Sequence, residues 1–359
     1  MHSSRIRLEE VAEPGRLREA YLRAARGKWG RADVREFAAD WQGQLGILRE
    51  RLLSGAWFPG GFTRFVIHEP KERVIHAPRF QDRVVHHALV DAAMPDFERW
   101  LIPDCFACRC GLGHSAAVRR AEAYAGRHNW FLKLDVSKYF DSIPRDRLLA
   151  ELGRRFRNAG VRALWGRIVE GYSATPGRGI PIGSLTSQML GNFYLMPVDR
   201  LCRQELRVPG YVRYMDDMAL WGSRDLLREA RARVEHTLAG LGLRLKGNWH
   251  LQPTHRGMEF LGLRVFPRGS TLTRRSRRRF LRAFRAGERE WQEGRLSDAA
   301  WQRSLSALVS HVHLARDEGI LRKLFREPGS AAIGLQPREP RGQLEQRRQE
   351  LSLGEPEQE

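Results

Sequence analysis

The sequence predicts an α/β fold of the α+β kind, in which helices pack on mixed or antiparallel sheets. Apolar residues recur at helical spacing in residues 1–60, whereas residues 62–78 alternate as the two strands of a hairpin do. Strand patterns follow at 130–136 and at 260–266. The most regular helical pattern lies at 223–240, where apolar residues repeat every four positions after a serine suited to cap the helix.

The charge of the chain favours a polyanionic partner. Its 359 residues include 62 Lys and Arg against 42 Asp and Glu, which gives a formal net charge of +20. Nucleic acid is the simplest partner for such an excess, because phosphate contacts release counterions. Ten Trp and sixteen Phe argue against a disordered basic protein. No apolar run reaches membrane-spanning length and no apolar signal segment begins the chain, so a cytoplasmic protein without membrane contact is expected.

Three of the four cysteines are clustered at Cys105, Cys108 and Cys110. This spacing permits a zinc site in principle. No second pair of Cys or His follows closely at ligand spacing, so free thiols in a reducing compartment are the expected state.

Two adjacent acids, Asp216 and Asp217, lie between short apolar runs typical of hairpin strands. Burying such a pair is costly unless cations neutralise it. Asp135 ends an earlier strand, and if the two strands are neighbours the three carboxylates converge. Such a set can bind two metal ions about 3.5–4 Å apart, which serve nucleotidyl transfer. A solvated turn with an unrelated strand-end acid is the plainer alternative.

Two motifs around these acids resemble those of reverse transcriptases. Residues 214–217 read Tyr-Met-Asp-Asp, which looks like the metal-binding motif of that family, and residues 131–140 resemble its first catalytic motif. By position, Asp135 matches the shared metal-binding carboxylate and the carbonyl of Val136 a backbone ligand. Phe140 matches the bulky side chain that excludes a ribose 2′-hydroxyl, although an ordinary core position would also suit a phenylalanine.

The resemblance implies two Mg²⁺ ions, with Mn²⁺ as the alternative. The ligands it implies are Asp135, Val136, Asp216 and Asp217. Mg²⁺ prefers carboxylate oxygens and retains several waters, so acids brought together from different strands suit it.

Residues 179–188 point to one branch of the family. Most reverse transcriptases carry Pro-Gln-Gly here, and the glutamine helps to hold the incoming nucleotide. This chain has Ile182 before Gly183, followed by Ser187 and Gln188. The pattern resembles that of reverse transcriptases from diversity-generating retroelements. Isoleucine cannot make a polar contact, so the pocket is expected to lose a positioning interaction.

The resemblance extends over about residues 60–325 and implies further contacts. Residues 65–88 look like the fingers segment of the family, and cations near a hairpin tip can clamp phosphates. The candidates for contact with the triphosphate are Lys71, Arg73 and Arg79, each of which could equally be a solvated charge. Lys246 lies in a segment that resembles the later palm motifs, where it could protonate the pyrophosphate leaving group.

Residues 274–285 contain seven arginines and no acid, with apolar and aromatic residues between them. They fall where the resemblance places a thumb helix that grips the primer–template duplex. A solvated basic helix is the alternative. The candidate contacts to nucleic acid are Tyr214, Met215, Arg274, Arg275, Arg277, Arg278, Arg279 and Arg282.

The resemblance implies a right-hand polymerase. The expected parts are an N-terminal helical extension at 1–60, fingers and palm at 61–266, and a basic helical thumb at 267–326. Residues 327–359 carry seven Glu, four Arg, four Pro and no aromatic residue, which predicts a disordered acidic tail.

The function implied is that of an RNA-directed DNA polymerase in mutagenic retrohoming. It would copy a template-repeat RNA into cDNA from dNTPs, with errors at template adenines that diversify a target gene. A small helical accessory variability protein is the implied partner. Two alternatives remain open. One is a defence-associated or group II intron-like reverse transcriptase without a mutagenic role, and the other is a catalytically silent RNA-binding scaffold.

Overall fold

The computed structural model describes residues 3–68, 72–172 and 175–315. The chain forms two compact units, Met1–Ala286 and Gly287–Glu359. The first unit contains all the strands of the described residues and is the one that holds the acids discussed above.

The N-terminal region is helical up to Leu53, as its apolar spacing predicts. Its helices are α1 (Leu8–Val11), α2 (Pro14–Ala25), α3 (Ala32–Ala39) and α4 (Trp41–Leu53). Glu13 caps α2 by accepting hydrogen bonds from the backbone N–H groups of Gly15 and Arg16. Helix α2 packs along α5 (Phe80–Trp100), and the ring of Tyr21 lies against Phe80 of that helix.

The predicted hairpin follows these helices. Strands β1 (Phe62–Ile67) and β2 (Arg73–Pro78) pair antiparallel, with Phe62 opposite Pro78. Most of β1 is exposed. Lys71, one of the candidate phosphate contacts, falls outside the described residues.

A four-stranded antiparallel sheet forms the centre of the first unit. Its strands are β3 (Trp130–Leu134), β4 (Gly210–Tyr214), β5 (Asp217–Gly222) and β6 (His250–Pro253), in the order β4-β5-β3-β6. Successive side chains point to opposite faces, so Leu132 and Leu220 enter the larger hydrophobic core. Phe131, Ala219 and Trp221 face a second core on the other side. Both faces of the sheet are therefore covered.

Helices contribute to the layers that cover the two faces of this sheet. The remaining helices of this part are α6 (His114–Ala125), α7 (Tyr139–Ser142), α8 (Arg145–Arg155), α9 (Ala159–Glu170), α10 (Leu185–Tyr194), α11 (Met196–Arg200) and α12 (Arg224–Gly240). A single π-helical turn, Leu201–Glu205, follows α11. Helix α6 covers the second core, and Ser223 caps α12 as predicted by accepting from the N–H of Leu226.

The prediction of one strand at 260–266 is wrong. The chain reverses there between β7 (Met258–Phe260) and β8 (Leu263–Phe266), and β9 (Gly269–Leu272) completes a small antiparallel sheet. Leu261 and Gly262 form the turn, with φ of 52° and 83°. A leucine at positive φ is uncommon, so the sequence gives little warning of this turn.

The basic segment is helical. Helix α13 (Arg274–Gln292) buries Ser276, Phe280 and Phe284 and leaves most of its arginines exposed. Helix α14 (Asp298–Leu314) follows in the second unit, where the ring of Trp301 packs against Gly287. The acidic tail at 327–359 falls outside the described residues.

The predicted fold class is confirmed, since helices surround antiparallel sheets in a mixed α/β arrangement. Within the described ranges no helix combines the length and the apolar character needed to cross a bilayer.

The buried carboxyl of Asp82 predicts a pH-dependent stability. Asp82 is 3% exposed and accepts a hydrogen bond of 2.8 Å from the N–H of Gly60. Burial raises its pKa to about 6 from 3.8. Folding therefore disfavours the charged form, and the stability that this group contributes below pH 4 is lost as pH rises to 6. We expect Asp82→Asn to raise the free energy of unfolding by about 3 kcal/mol at pH 7, with little effect at pH 4.

Urea unfolding at the two pH values measures this difference. Asp225→Asn, at an exposed carboxylate, serves as the control. Equal effects of Asp82→Asn at both pH values would contradict the assignment.

Candidate active site

The two adjacent acids lie at the tight turn between β4 and β5, with Asp216 in the turn and Asp217 at the start of β5. Tyr214 pairs with Asp217 across the hairpin, so Met215 and Asp216 form the two-residue loop. Met215 has a φ of 56°, in the left-handed region where a residue with a Cβ is disfavoured. The surrounding structure must hold this residue in place.

A buried ion pair supplies that support. Arg213 and Asp199 are 0% and 1% exposed and form two parallel hydrogen bonds, Nε to Oδ1 at 2.6 Å and Nη2 to Oδ2 at 2.5 Å. The Nη1 of Arg213 also donates to the carbonyl of Met215 at 3.1 Å. The guanidinium thus links helix α11 to the peptide unit that precedes Asp216.

Neighbouring polar groups complete the network. Arg213 donates to the side-chain and backbone oxygens of Asn192 at 3.2 and 3.1 Å, and the hydroxyl of Tyr211 donates to Asp199 at 2.8 Å. A buried pair is stable only when its remaining donors and acceptors are satisfied, which is the case here. Sequence reasoning missed this network, although an arginine within an otherwise apolar strand was a usable signal.

The third acid lies beside the hairpin. Strand β3 is the neighbour of β5, and the register that pairs Leu134 with Met218 brings Asp135 opposite Asp217. Asp216, in the turn that leads into β5, lies close enough to Asp135 for the two carboxyls to influence each other's charge. Burial, together with the charge of Asp135, raises the pKa of Asp216 to about 6. The condition stated for the acids to approach one another, that the two strands be neighbours, is therefore met.

Two lysines neutralise the acids. Lys133, on the same face of β3 as Asp135, forms an ion pair with Asp217. Burial lowers the pKa of Lys133 to about 7, and the charges of Asp135 and Asp216 oppose that shift. The Nζ of Lys246 donates to Oδ2 of Asp135 at 3.0 Å. The sequence analysis gave Lys133 no role, and it did not include the contact of Lys246 with Asp135.

The donor set fits a divalent cation. Carboxylate oxygens are the ligands that Mg²⁺ prefers, and a cation would offset the burial that raises the pKa of Asp216. Across the described ranges no three His, Cys, Asp or Glu side chains surround a common point at ligand spacing. Because Lys133 and Lys246 hold Asp217 and Asp135, the acids are turned toward ammonium groups in this arrangement.

The polar groups of Val136 take no part in the hydrogen bonds of the bridge that follows β3. Val136 is bridged antiparallel to Leu245, but the hydrogen bonds of that bridge are made by its neighbours, the carbonyl of Asp135 and the N–H of Ser137. The polar groups of Val136 therefore point away from Leu245.

Phe140 lies close to the acids in the chain and packs against helix α10. Its half-buried ring lies at Gly191, where an added Cβ would be 3.3 Å from Cε1 of the ring. The carbonyl of Phe140 accepts a hydrogen bond of 2.9 Å from the N–H of Ile180. This bond ties the segment after β3 to the loop that contains Ile182.

The Ile182 loop is attached to the hairpin. The carbonyl of Ile182 accepts from the N–H of His76 on β2 at 2.8 Å. Gly183 has a φ of 110°, and a Cβ there would lie 2.5 Å from Cγ2 of Ile75, so glycine is required at this position. Gln188 is half-buried one turn into α10.

The other predicted contacts are more dispersed. Arg73 is exposed on β2, and Arg79 lies beside Gly60 and Asp82 at the base of the hairpin. Tyr214 and Met215 are half-buried at the turn. The six basic candidates on α13 are exposed apart from half-buried Arg279; they are Arg274, Arg275, Arg277, Arg278, Arg279 and Arg282. The roles assigned to these residues stay predictions.

The cysteines do not share one environment. Cys105 is buried, with its Sγ 3.4 Å from the side-chain oxygen of Asn192, whereas Cys108 and Cys110 are exposed. All four cysteines are free thiols.

The network beneath the turn predicts a strong asymmetry between single and double substitutions. We expect Asp199→Ala to lower the free energy of unfolding by about 3–5 kcal/mol, because it leaves the charge of Arg213 buried and unpaired. Combining Asp199→Leu with Arg213→Met should recover most of that loss, since apolar groups of similar volume can replace a buried pair. Chemical unfolding measures both, and a double variant as unstable as the single one would disprove this account.

Comparisons with known proteins agree with this geometry. Residues 68–265 match a family model described as reverse transcriptase (RNA-dependent DNA polymerase). Protein YkfC of Escherichia coli K12 is 28% identical over 170 residues, which cover 44% of this chain and 45% of that protein. A putative COX1/OXI3 intron 2 protein of Saccharomyces cerevisiae is 25% identical over 148 residues, which are 39% of this chain and 16% of the yeast protein. The chain thus spans less than half the length of these relatives. Because the family match covers more than half of its residues, the chain belongs to the reverse transcriptase family.

Proposed function

We propose that this chain is an active RNA-directed DNA polymerase that copies an RNA template into cDNA from dNTPs. The observation that carries the proposal is that β3 and β5 are neighbours, in a register that places Asp135 opposite Asp217 and beside the turn that holds Asp216. A silent scaffold would have no need to keep like-charged acids side by side, since their repulsion costs stability.

The metal ligands would be those that the motifs indicate. Asp135, Asp216, Asp217 and the carbonyl of Val136 would hold two Mg²⁺ ions, or Mn²⁺ in their place. When bound, such ions activate a primer 3′-hydroxyl and stabilise the leaving oxygen.

The protein residues around this centre would position the substrate. The ring of Phe140 would lie under the sugar and exclude a 2′-hydroxyl. Lys246, whose Nζ lies 3.0 Å from Oδ2 of Asp135, would donate a proton to the departing pyrophosphate. Arg73 and Arg79, with Lys71, would contact the triphosphate, and the arginines of α13 would contact the phosphates of the duplex.

The branch of the family we propose is that of diversity-generating retroelements. Its support is Ile182 in place of a glutamine, with Gly183, Ser187 and Gln188 at matching positions. The enzyme would then copy a template-repeat RNA with errors at adenines and act with a small helical accessory protein. A second candidate is a group II intron-like enzyme without a mutagenic role, which the similarity to the yeast intron proteins favours.

Substitution of one acid distinguishes an active polymerase from a silent RNA-binding scaffold. We expect Asp216→Ala to abolish Mg²⁺-dependent primer extension on an RNA template while RNA binding is retained, because the acid takes part in the reaction and not in the binding of RNA. Primer extension and RNA binding are measured side by side. Asp225→Ala, at an exposed acid on α12, is the control. Synthesis that survives Asp216→Ala would place the chemistry elsewhere.

The identity of residue 182 should control accuracy. We expect Ile182→Gln to reduce errors opposite template adenine by about threefold to tenfold, since one added net hydrogen bond contributes about 1 kcal/mol to nucleotide positioning. Sequencing of the cDNA measures the error spectrum, with Ile182→Leu as the control. An unchanged spectrum would remove Ile182 from the explanation, and accurate synthesis by the unaltered chain would favour the intron-like candidate.

A further inference from the structure

Three successive backbone carbonyls at the end of helix α12, those of residues 240–242, accept hydrogen bonds from side chains of three different elements. The donors are, in that order, Arg147 of α8, Tyr194 of α10 and Arg178 of the Ile182 loop. The last carbonyls of a helix lack partners within it, so side-chain donors are favoured there. The end of α12 is thus a point at which separate parts of the chain are joined.

Arg178 differs from the other two donors in the segments that it connects. Its Nη1 donates to the carbonyl of Gly242 at 3.2 Å and also to the carbonyl of Ser142 at 3.0 Å. Ser142 is the last residue of α7, the short helix that contains Phe140. One guanidinium of the Ile182 loop therefore links the Phe140 segment to the start of the segment that leads to Lys246.

Backbone groups hold the loop against α7 on one side of Arg178. The N–H of Gly179 donates to the carbonyl of Ile143, and the N–H of Ile180 donates to that of Phe140, both at 2.9 Å. Gly179 has a φ of 83°, and a Cβ there would lie 3.3 Å from the carbonyl oxygen of Asp141. The close approach of the loop to the Phe140 segment thus depends on a glycine next to Arg178.

The segment after α12 is attached to the acid centre in the same manner. The N–H of Ser137 donates to the carbonyl of Arg244, and the N–H of Lys246 donates to that of Asp135, both at 2.9 Å. Gly242 lies four residues before Lys246 and has a φ of 73°. The hydrogen bond from Arg178 to the Gly242 carbonyl therefore fixes the chain just before it reaches the acids.

The exposure of Arg178 separates its effect on geometry from its effect on stability. The side chain lies at the surface, where one hydrogen bond contributes little to the free energy of unfolding. Its two carbonyl acceptors nevertheless belong to segments whose relative position matters, because a displacement of about 1 Å around a substrate can strongly slow a reaction.

We propose that Arg178 is a positioning residue that holds the Ile182 loop, the Phe140 segment and the Lys246 segment in one arrangement around the nucleotide. Its part in catalysis rests on the proposed function, whereas the connection between the three segments does not. The ring expected under the sugar and the proton donor for pyrophosphate would then be fixed relative to each other by a third side chain.

The first test is hydrogen–deuterium exchange of the full chain, without metal or dNTPs. It compares Arg178→Met with a matched control, Arg147→Met, which also removes an exposed arginine that donates to the end of α12 but lies outside the Ile182 loop. We expect Arg178→Met to speed exchange of the N–H groups of Ile180 and Lys246 about fivefold each, because each segment loses one hydrogen bond. Arg147→Met should leave exchange at Ile180 unchanged.

The second test is single-nucleotide primer extension by the same variants. Arg178→Met should raise the KM for the dNTP about fivefold, because displaced groups bind the nucleotide less well. Arg147→Met should leave KM unchanged. A mere loss of folded protein would lower the apparent kcat and leave KM as it is, so that pattern in Arg178→Met would overturn the proposal.

Unchanged exchange at Ile180 in Arg178→Met, or equal changes there in both variants, would also overturn the proposal. A melting temperature lowered in Arg178→Met alone would do the same, since it would make the arginine a determinant of stability. Exchange requires no catalysis. Absence of primer extension in the unaltered chain would therefore count against the polymerase, while exchange would still decide whether Arg178 connects the segments.

Discussion

The buried pair of Arg213 and Asp199 is the interaction on which the rest of the site depends. It connects helix α11 to strand β4, and through the carbonyl of Met215 it fixes the peptide that carries Asp216. A buried ion pair contributes little net stability, because the desolvation of both charges offsets their attraction. Its contribution here is geometric, since an unsupported methionine would not keep a left-handed conformation at a turn.

Burial acts in opposite directions on the pKa values of an acid and of a lysine in the acid centre. Burial raises the pKa of Asp216 and lowers that of Lys133, so each group is pushed toward its neutral form. The ion pairs of Lys133 with Asp217 and of Lys246 with Asp135 oppose this tendency. The acid oxygens thus already hold two ammonium groups, and the same negative charge would attract the divalent cations proposed above.

The sequence predicted those features that depend on local pattern. The alternation of β3, the apolar runs around Asp216 and the capping serine at 223 are short-range signals, and they located the strands and the acid turn. Asp199 could not be assigned as the partner of Arg213, because the two meet only when α11 packs beneath β4. The turn at Leu261 was missed for a related reason, since tertiary packing there outweighs the residue's backbone preference.

The Ile182 loop is held in place without the side chain that is proposed to act in substrate selection. The loop is fixed by backbone groups, namely the carbonyl of Ile182 on the N–H of His76 and the glycine conformation at 183. The side chain of residue 182 takes no part in these bonds. Replacing an amide by an alkyl group there would remove a polar contact with a nucleotide and leave the loop in place. If residue 182 sets accuracy as proposed, accuracy can vary at this position without a cost to folding, whereas a change of Arg213 alone would leave the charge of Asp199 buried and unpaired.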